Sequence, residues 1–153
     1  GINMSAFSKS SMTKLDQCHP DLRRLFLDVV RKYDCSILEG HRDRSKQTTY
    51  YNAKPKRSKL QWPQSKHNQQ PSLAVDVVPY PIDWGEAGTE SEKRKAIARF
   101  YHFAGYVLRT AEKMDISIRW GGDWDGDKDF SDQSFDDLPH WELLNGSRES
   151  IWP

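Results

Sequence analysis

Long apolar runs are missing from this chain: no stretch approaches the ~18 consecutive apolar residues that a membrane-spanning helix needs. The N-terminus also has no cationic segment followed by an apolar block. These absences predict a soluble protein without stable membrane insertion, made in the cytoplasm without a signal peptide. An excess of one charge is missing too, since 23 basic side chains face 22 acidic ones and leave a formal charge of +1. That excludes a global field able to gather nucleic acid, so no nucleic-acid partner is expected and any charged ligand must be read locally. Cysteine is scarce. Cys18 and Cys35 form no CxxC pattern, which argues against a disulfide framework or a thiolate metal site and for two reduced, core-facing thiols.

Aromatic side chains are plentiful, with six Trp, six Tyr and six Phe among 153 residues, enough large apolar units for one compact core. The chain is predicted to form a single domain over residues 4–153, and the tripeptide before Met4 reads as an expression remnant. "HPDLRRLFLDVVRKYD" has a helical stripe of Leu22, Leu25, Phe26, Val29, Val30 and Tyr33, with Pro20 in the first turn. "RDRSKQTTYYNA" fits a second, more exposed helix. The longest helix is capped by Ser91 or Thr89, and its predicted apolar face is Ile97, Phe100, Ala104, Val107, Leu108, Ala111 and Met114. "CSILEG", "LAVDVVP", "ISIRW" and "HWELL" read as strands, with "KPKRSKLQWPQSK" an exposed basic loop. This order lacks the regular crossovers of a doubly wound sheet. It predicts an α+β fold, a small, mainly antiparallel sheet with helices packed against it.

Asp76 stands between Val75 and Val77 in an otherwise buried strand, where an ionised carboxylate is expensive unless a cation, strong donors or a metal is nearby. His67 and His140 could complete a site with it, because two imidazoles and one carboxylate form an open zinc site with a position left for water. Alternatively, Asp76 caps a turn or pairs with an arginine, and the histidines are ordinary packing residues. In "FDDLPHWEL" a carboxylate able to take a proton from water is also at hand. Asp137, three residues before His140, is one candidate; Asp136 and Glu142 are the others, and Glu142 shares a strand face with His140, where it could orient a ligand instead. His19, His41 and His102 have no comparable company. The acidic stretch Asp123, Asp125, Asp127 and Asp129 invites a calcium reading, but the sixth and twelfth positions of such a loop would be Lys128 and Ser134 rather than glycine and glutamate. A solvated loop beside the active site is the simpler reading.

Taken in order, "SKH", "AVD", "GGDW" and "HWEL", together with "HPDLRRL" and "EGHRDRSKQ", resemble the zinc D-alanyl-D-alanine carboxypeptidase and L-alanyl-D-glutamate peptidase family, in its phage endolysin branch. The resemblance runs from about Ser8 to Leu144. It implies the Hedgehog/DD-peptidase fold and a Zn2+ ion on His67, Asp76 and His140. It further implies Asp137 as general base, Arg42 on a substrate carboxylate or the scissile carbonyl, and Ser65 close behind at the substrate site. Eight residues separate His67 from Asp76 where the family usually has six, and Ser72 replaces a glycine. The implied function is hydrolysis of the L-alanyl-D-glutamate bond in peptidoglycan stem peptides during phage lysis, reached after another protein permeabilises the membrane. A D,D- or L,D-carboxypeptidase, or a non-catalytic wall-binding module with a structural metal, are the alternatives. A monomer is expected.

Overall fold

A computed structural model describes residues 4–132 and 135–144; the N-terminal tripeptide, Gln133, Ser134 and residues 145–153 lie outside the described residues. The elements in chain order are α1 (Lys9–Leu15), α2 (Pro20–Lys32), β1 (Cys35–Glu39), α3 (Arg44–Asn52), a 3-10 turn (Lys66–Asn68), β2 (Ala74–Pro79), α4 (Glu90–Lys113), β3 (Ile118–Trp120) and β4 (His140–Leu143). The four strands form one sheet in the order β1-β2-β4-β3, and every neighbouring pair is antiparallel. This is the expected α+β arrangement.

Strand alternation gives the sheet two different faces. Val75, Val77, Trp120, Trp141 and Leu143 point to one side and meet Leu22, Leu25, Phe26 and Val29 of α2 with Phe103, Ala104 and Val107 of α4 in the core. Trp141 stacks on Trp120 at 6.0 Å and meets Phe26 edge-on at 6.2 Å. Each fully buried aliphatic or aromatic side chain here contributes about 1.5–3 kcal/mol relative to exposure. The opposite face carries Ala74 and Val78 but is otherwise polar around Asp76. Register places Glu39, Asp76 and His140 in one cross-strand row, with Arg119 opposite Glu142 in the next.

Of the two expected caps of α4, Thr89 is the one used, in a reciprocal box with Glu92. The buried stripe of α4 is Ala96, Phe100, Phe103, Ala104, Val107, Thr110 and Ala111, while Ile97 and Leu108 are exposed. Phe100, Ala104, Val107 and Ala111 of the predicted face are buried and Met114 packs against the core, while Ala96, Phe103 and Thr110 take the inward places that Ile97 and Leu108 do not. Thr110 is tolerated inside because its hydroxyl donates to the Tyr106 carbonyl at 2.8 Å. Helix α1 has no counterpart in the sequence reading. Its buried contacts are only Leu15 and Ser11, whose hydroxyl accepts the Ile37 amide at 3.0 Å and so covers the free edge of β1. Among the described residues, no helix is long and apolar enough to cross a membrane.

Candidate metal centre and active site

Three segments bring the predicted ligands together. His67 comes from the 3-10 turn, which Ser65 caps by accepting the His67 amide at 3.2 Å while Asn68 reaches back to the Ser65 amide at 3.1 Å. Asp76 and His140 are direct cross-strand partners on β2 and β4. His67 Nε2 lies 3.2 Å from Asp76 Oδ1, and His140 Nδ1 lies 3.3 Å from the same oxygen. The three side chains offer ligand atoms all within 4.8 Å of one another.

The outer nitrogens fix the tautomers. His67 Nδ1 is 2.7 Å from the Gly40 carbonyl oxygen, which can only accept, so this nitrogen carries the proton. His140 Nε2 is 2.8 Å from Glu142 Oε1 and donates likewise. Each neutral ring therefore turns a lone pair toward a carboxylate oxygen, and three acceptors facing one point require a cation or a proton between them. The donor set and its outer hydrogen bonds fit a divalent metal ion. With a proton in that role, burial disfavours an imidazolium at His140, but the hydrogen bonds to Asp76 and Glu142 outweigh it and raise its pKa to about 10. Burial opposes ionisation of Asp76 in turn; the charges and donors of His67 and His140 prevail and hold it well below the usual carboxylate range.

The three acids left open by the sequence occupy different places. Asp137 is half-buried, with Oδ2 3.9 Å from His140 Nδ1, the ring nitrogen that faces Asp76. Burial raises its pKa, with His140 pulling the other way. Asp136 is exposed and turned toward Tyr101, whose phenol it helps burial to raise. Glu142 lies behind His140, where Oε2 also accepts from Arg119 at 2.7 Å and pairs with Lys66. The Asp137 backbone is itself pinned, donating to the Gly121 carbonyl at 2.8 Å, while Gly121 donates to the His140 carbonyl at 2.9 Å.

A sequence model of the phage L-alanyl-D-glutamate peptidase family matches residues 4–144. The chain belongs to that family. Among solved structures, the crystal structure of the Serratia marcescens L-Ala D-Glu endopeptidase ChiX is similar, with a TM-score of 0.62, 25% identity, and 92% of each chain covered. No curated protein sequence matches. The chain is accordingly a peptidoglycan peptidase, a hydrolytic enzyme.

In this peptidase the candidate metal-ligating group opens into a cleft of about 650 Å³. Arg42 lines it from below, 8% exposed, with Nε 2.8 Å from Glu39 Oε1 and one terminal nitrogen 2.9 Å from Gln47 Oε1. The longer segment between His67 and Asp76 closes on itself: the Ser72 hydroxyl donates to the Ala74 carbonyl at 2.6 Å, and the Ser72 amide donates to the Gln17 carbonyl at 2.8 Å. Ser72 is fully buried, so the extra residues fold against α1's end and leave both ligands in reach.

Sequence reasoning missed Glu39, Gln47, Lys66 and Arg119. Arg119 was detectable, since it is the polar residue alternating between Ile118 and Trp120 and therefore shares the face of Glu142. Gln47, wholly buried on an otherwise polar helix, had no such signal. His19 caps α2 by accepting the Asp21 amide, and His102 bonds the Tyr33 hydroxyl at 2.7 Å, so both serve packing. The acidic loop groups Asp123, Asp125 and Asp127 and presents Trp124, whose ring lies 5.4 Å from that of His140.

Proposed function

We propose that this peptidase cleaves the L-alanyl-D-glutamate amide of peptidoglycan stem peptides, with Zn2+ held by His67 Nε2, Asp76 Oδ1 and His140 Nδ1. The observation that carries the metal reading is the convergence of two imidazole lone pairs and one carboxylate on a single point, with both outer N–H groups already committed. A two-histidine, one-carboxylate set with an open side suits zinc in a hydrolytic role. When bound, the ion supplies Lewis acidity, lowering the pKa of water and polarising a carbonyl.

The remaining work falls to side chains. Asp137, on the cleft side of His140 and with burial favouring its protonated form, accepts a proton from the attacking water and returns it to the leaving amine. Arg42 uses three of its five N–H donors on Glu39 and Gln47, and the other two remain for the carbonyl oxygen as it gains charge or for a substrate carboxylate. Ser65 holds the turn that presents His67 and forms part of the cleft wall beside the substrate. Lys66 and Arg119 neutralise Glu142, which keeps the His140 ring in its ligating orientation. As a phage enzyme acting as a monomer, it reaches the wall once the membrane has been opened.

Mass spectrometry of digested murein tests the bond assignment: free L-alanine carboxyl ends on the glycan are expected. Loss of terminal D-alanine alone would instead identify a carboxypeptidase. Asp137→Ala is expected to retain one equivalent of zinc while its turnover falls about 10²- to 10⁴-fold; full activity in that variant would move the base elsewhere.

A further inference from the structure

The cleft walls bear more positive charge than the metal site uses. Glu142 is engaged by Lys66, Arg119 and His140, and Arg42 is engaged by Glu39. Arg57 and Lys59 also line the cleft, yet among the described residues neither lies in an ion pair with a carboxylate. Both instead rest on aromatic rings, Arg57 4.2 Å from the centre of Tyr50 and Lys59 4.8 Å from the centre of Phe135. Arg42 approaches the same Tyr50 ring at 4.7 Å. Stacking on a ring face orients a guanidinium while leaving its N–H edge available for a bidentate partner.

The backbone at Arg57 and at Ser58, which precedes Lys59, is fixed. The Arg57 and Ser58 amides both donate to the Tyr50 carbonyl, at 3.0 and 3.3 Å, and the buried Gln47 side chain donates to Ser58 Oγ at 2.8 Å. A basic segment that reads as a plain solvated loop is thus tied to α3 at the rim of the cleft. Glutamate has two carboxyl groups and needs only one to continue a peptide chain. The D-glutamate next to the scissile bond therefore brings a free carboxylate into the cleft, unless it has been amidated.

We infer that Arg57, assisted by Lys59, forms a carboxylate-binding subsite that reads the free carboxylate of the D-glutamyl residue and discriminates against its amide. The inference rests on the proposed L-alanyl-D-glutamate cleavage and adds to it a specificity-determining residue outside the metal site. A charge-assisted, two-pronged contact in a partly desolvated cleft supplies on the order of tenfold discrimination.

The test uses the zinc-loaded peptidase and two synthetic peptides, N-acetyl-L-alanyl-D-glutamyl-L-lysine with its free carboxylate and the same peptide with that group as a carboxamide. The wild type is expected to favour the acid by about tenfold in kcat/KM. Arg57→Met should lose about that factor on the acid, mainly through KM, and almost nothing on the amide. Arg57→Lys, which keeps charge but not the fork, should fall between the two, and Lys59→Met should show a smaller loss of the same pattern. Equal cleavage of both peptides by the wild type, or equal losses on both in Arg57→Met, would overturn the subsite and leave the bond assignment intact. Cleavage of neither peptide would instead strike the bond assignment itself, and the subsite with it.

Discussion

Glu142→Gln is the sharpest perturbation of the metal centre, because it conserves shape and removes one charge. Glu142 is 6% exposed; Oε1 accepts from His140 Nε2 at 2.8 Å, and Oε2 accepts from Arg119 at 2.7 Å and pairs with Lys66. Burial resists its ionisation, but His140 and Lys66 overcome that and hold the carboxyl far below its ordinary range. A carboxylate can accept on both sides, whereas an amide has one oxygen and one NH2 group. Hydrogen bonds to a cation are worth about 1.5–3 kcal/mol against about 1 for neutral pairs, so the amide oxygen turns toward Lys66 and Arg119. The NH2 group then faces His140 Nε2, which must accept, and the ring proton moves to Nδ1 where the metal should bind. Losing such an orienting partner typically costs 10–100-fold in metal affinity. A shift near the upper end, about 2.7 kcal/mol, is expected from zinc titration against a chromophoric chelator. An affinity within about twofold of wild type would refute the tautomer argument.

The metal-free protein should hold a proton where the ion goes. With His140 raised to about 10, the imidazolium persists at pH 7.5 and is displaced on metal binding; about one proton should be released, visible as buffer-dependent heats in calorimetry, and affinity should rise with pH up to the region of that pKa. Heats that do not vary with buffer would contradict it. At Gly121, a Cβ would lie 2.1 Å from the Asp137 carbonyl oxygen, so Gly121→Ala must push away the segment carrying Asp137, the proposed base. Overpacking of this kind costs about 1–3 kcal/mol, and kcat should fall more than zinc affinity does; an unchanged kcat would show that the Asp137 segment adapts freely.

The strands and the two long helices could be read directly, because their apolar residues recur with the period of the element that buries them. Helix α1 could not, since it buries only Leu15 and a serine hydroxyl that meets a strand edge, and one leucine makes no hydrophobic stripe. In α4, periodicity wrongly places Ile97 and Leu108 inside because both flanks of the helix carry apolar residues, and only the tertiary partners decide which flank faces inward. At the metal centre, His67, Asp76 and His140 stood out as costly polar groups in or beside buried strands. The partners that set their tautomers were hidden for two reasons. The Gly40 carbonyl belongs to the backbone, and Glu142 gains its meaning only from cross-strand neighbours. Asp137 and Asp136 are adjacent in sequence, and only the turn pinned by Gly121 separates one into the cleft and the other toward Tyr101.

Strand β4 lies between β2 and β3 although it follows both in the chain. Until it is inserted, β2 and β3 have no shared neighbour, and Asp76 has no cross-strand imidazole. A ribosome that has not yet delivered residues 140–143 therefore carries a chain whose catalytic donors are incomplete, however well its earlier helices have formed. Synthesis itself keeps each nascent copy inert until β4 has emerged and taken its place in the sheet.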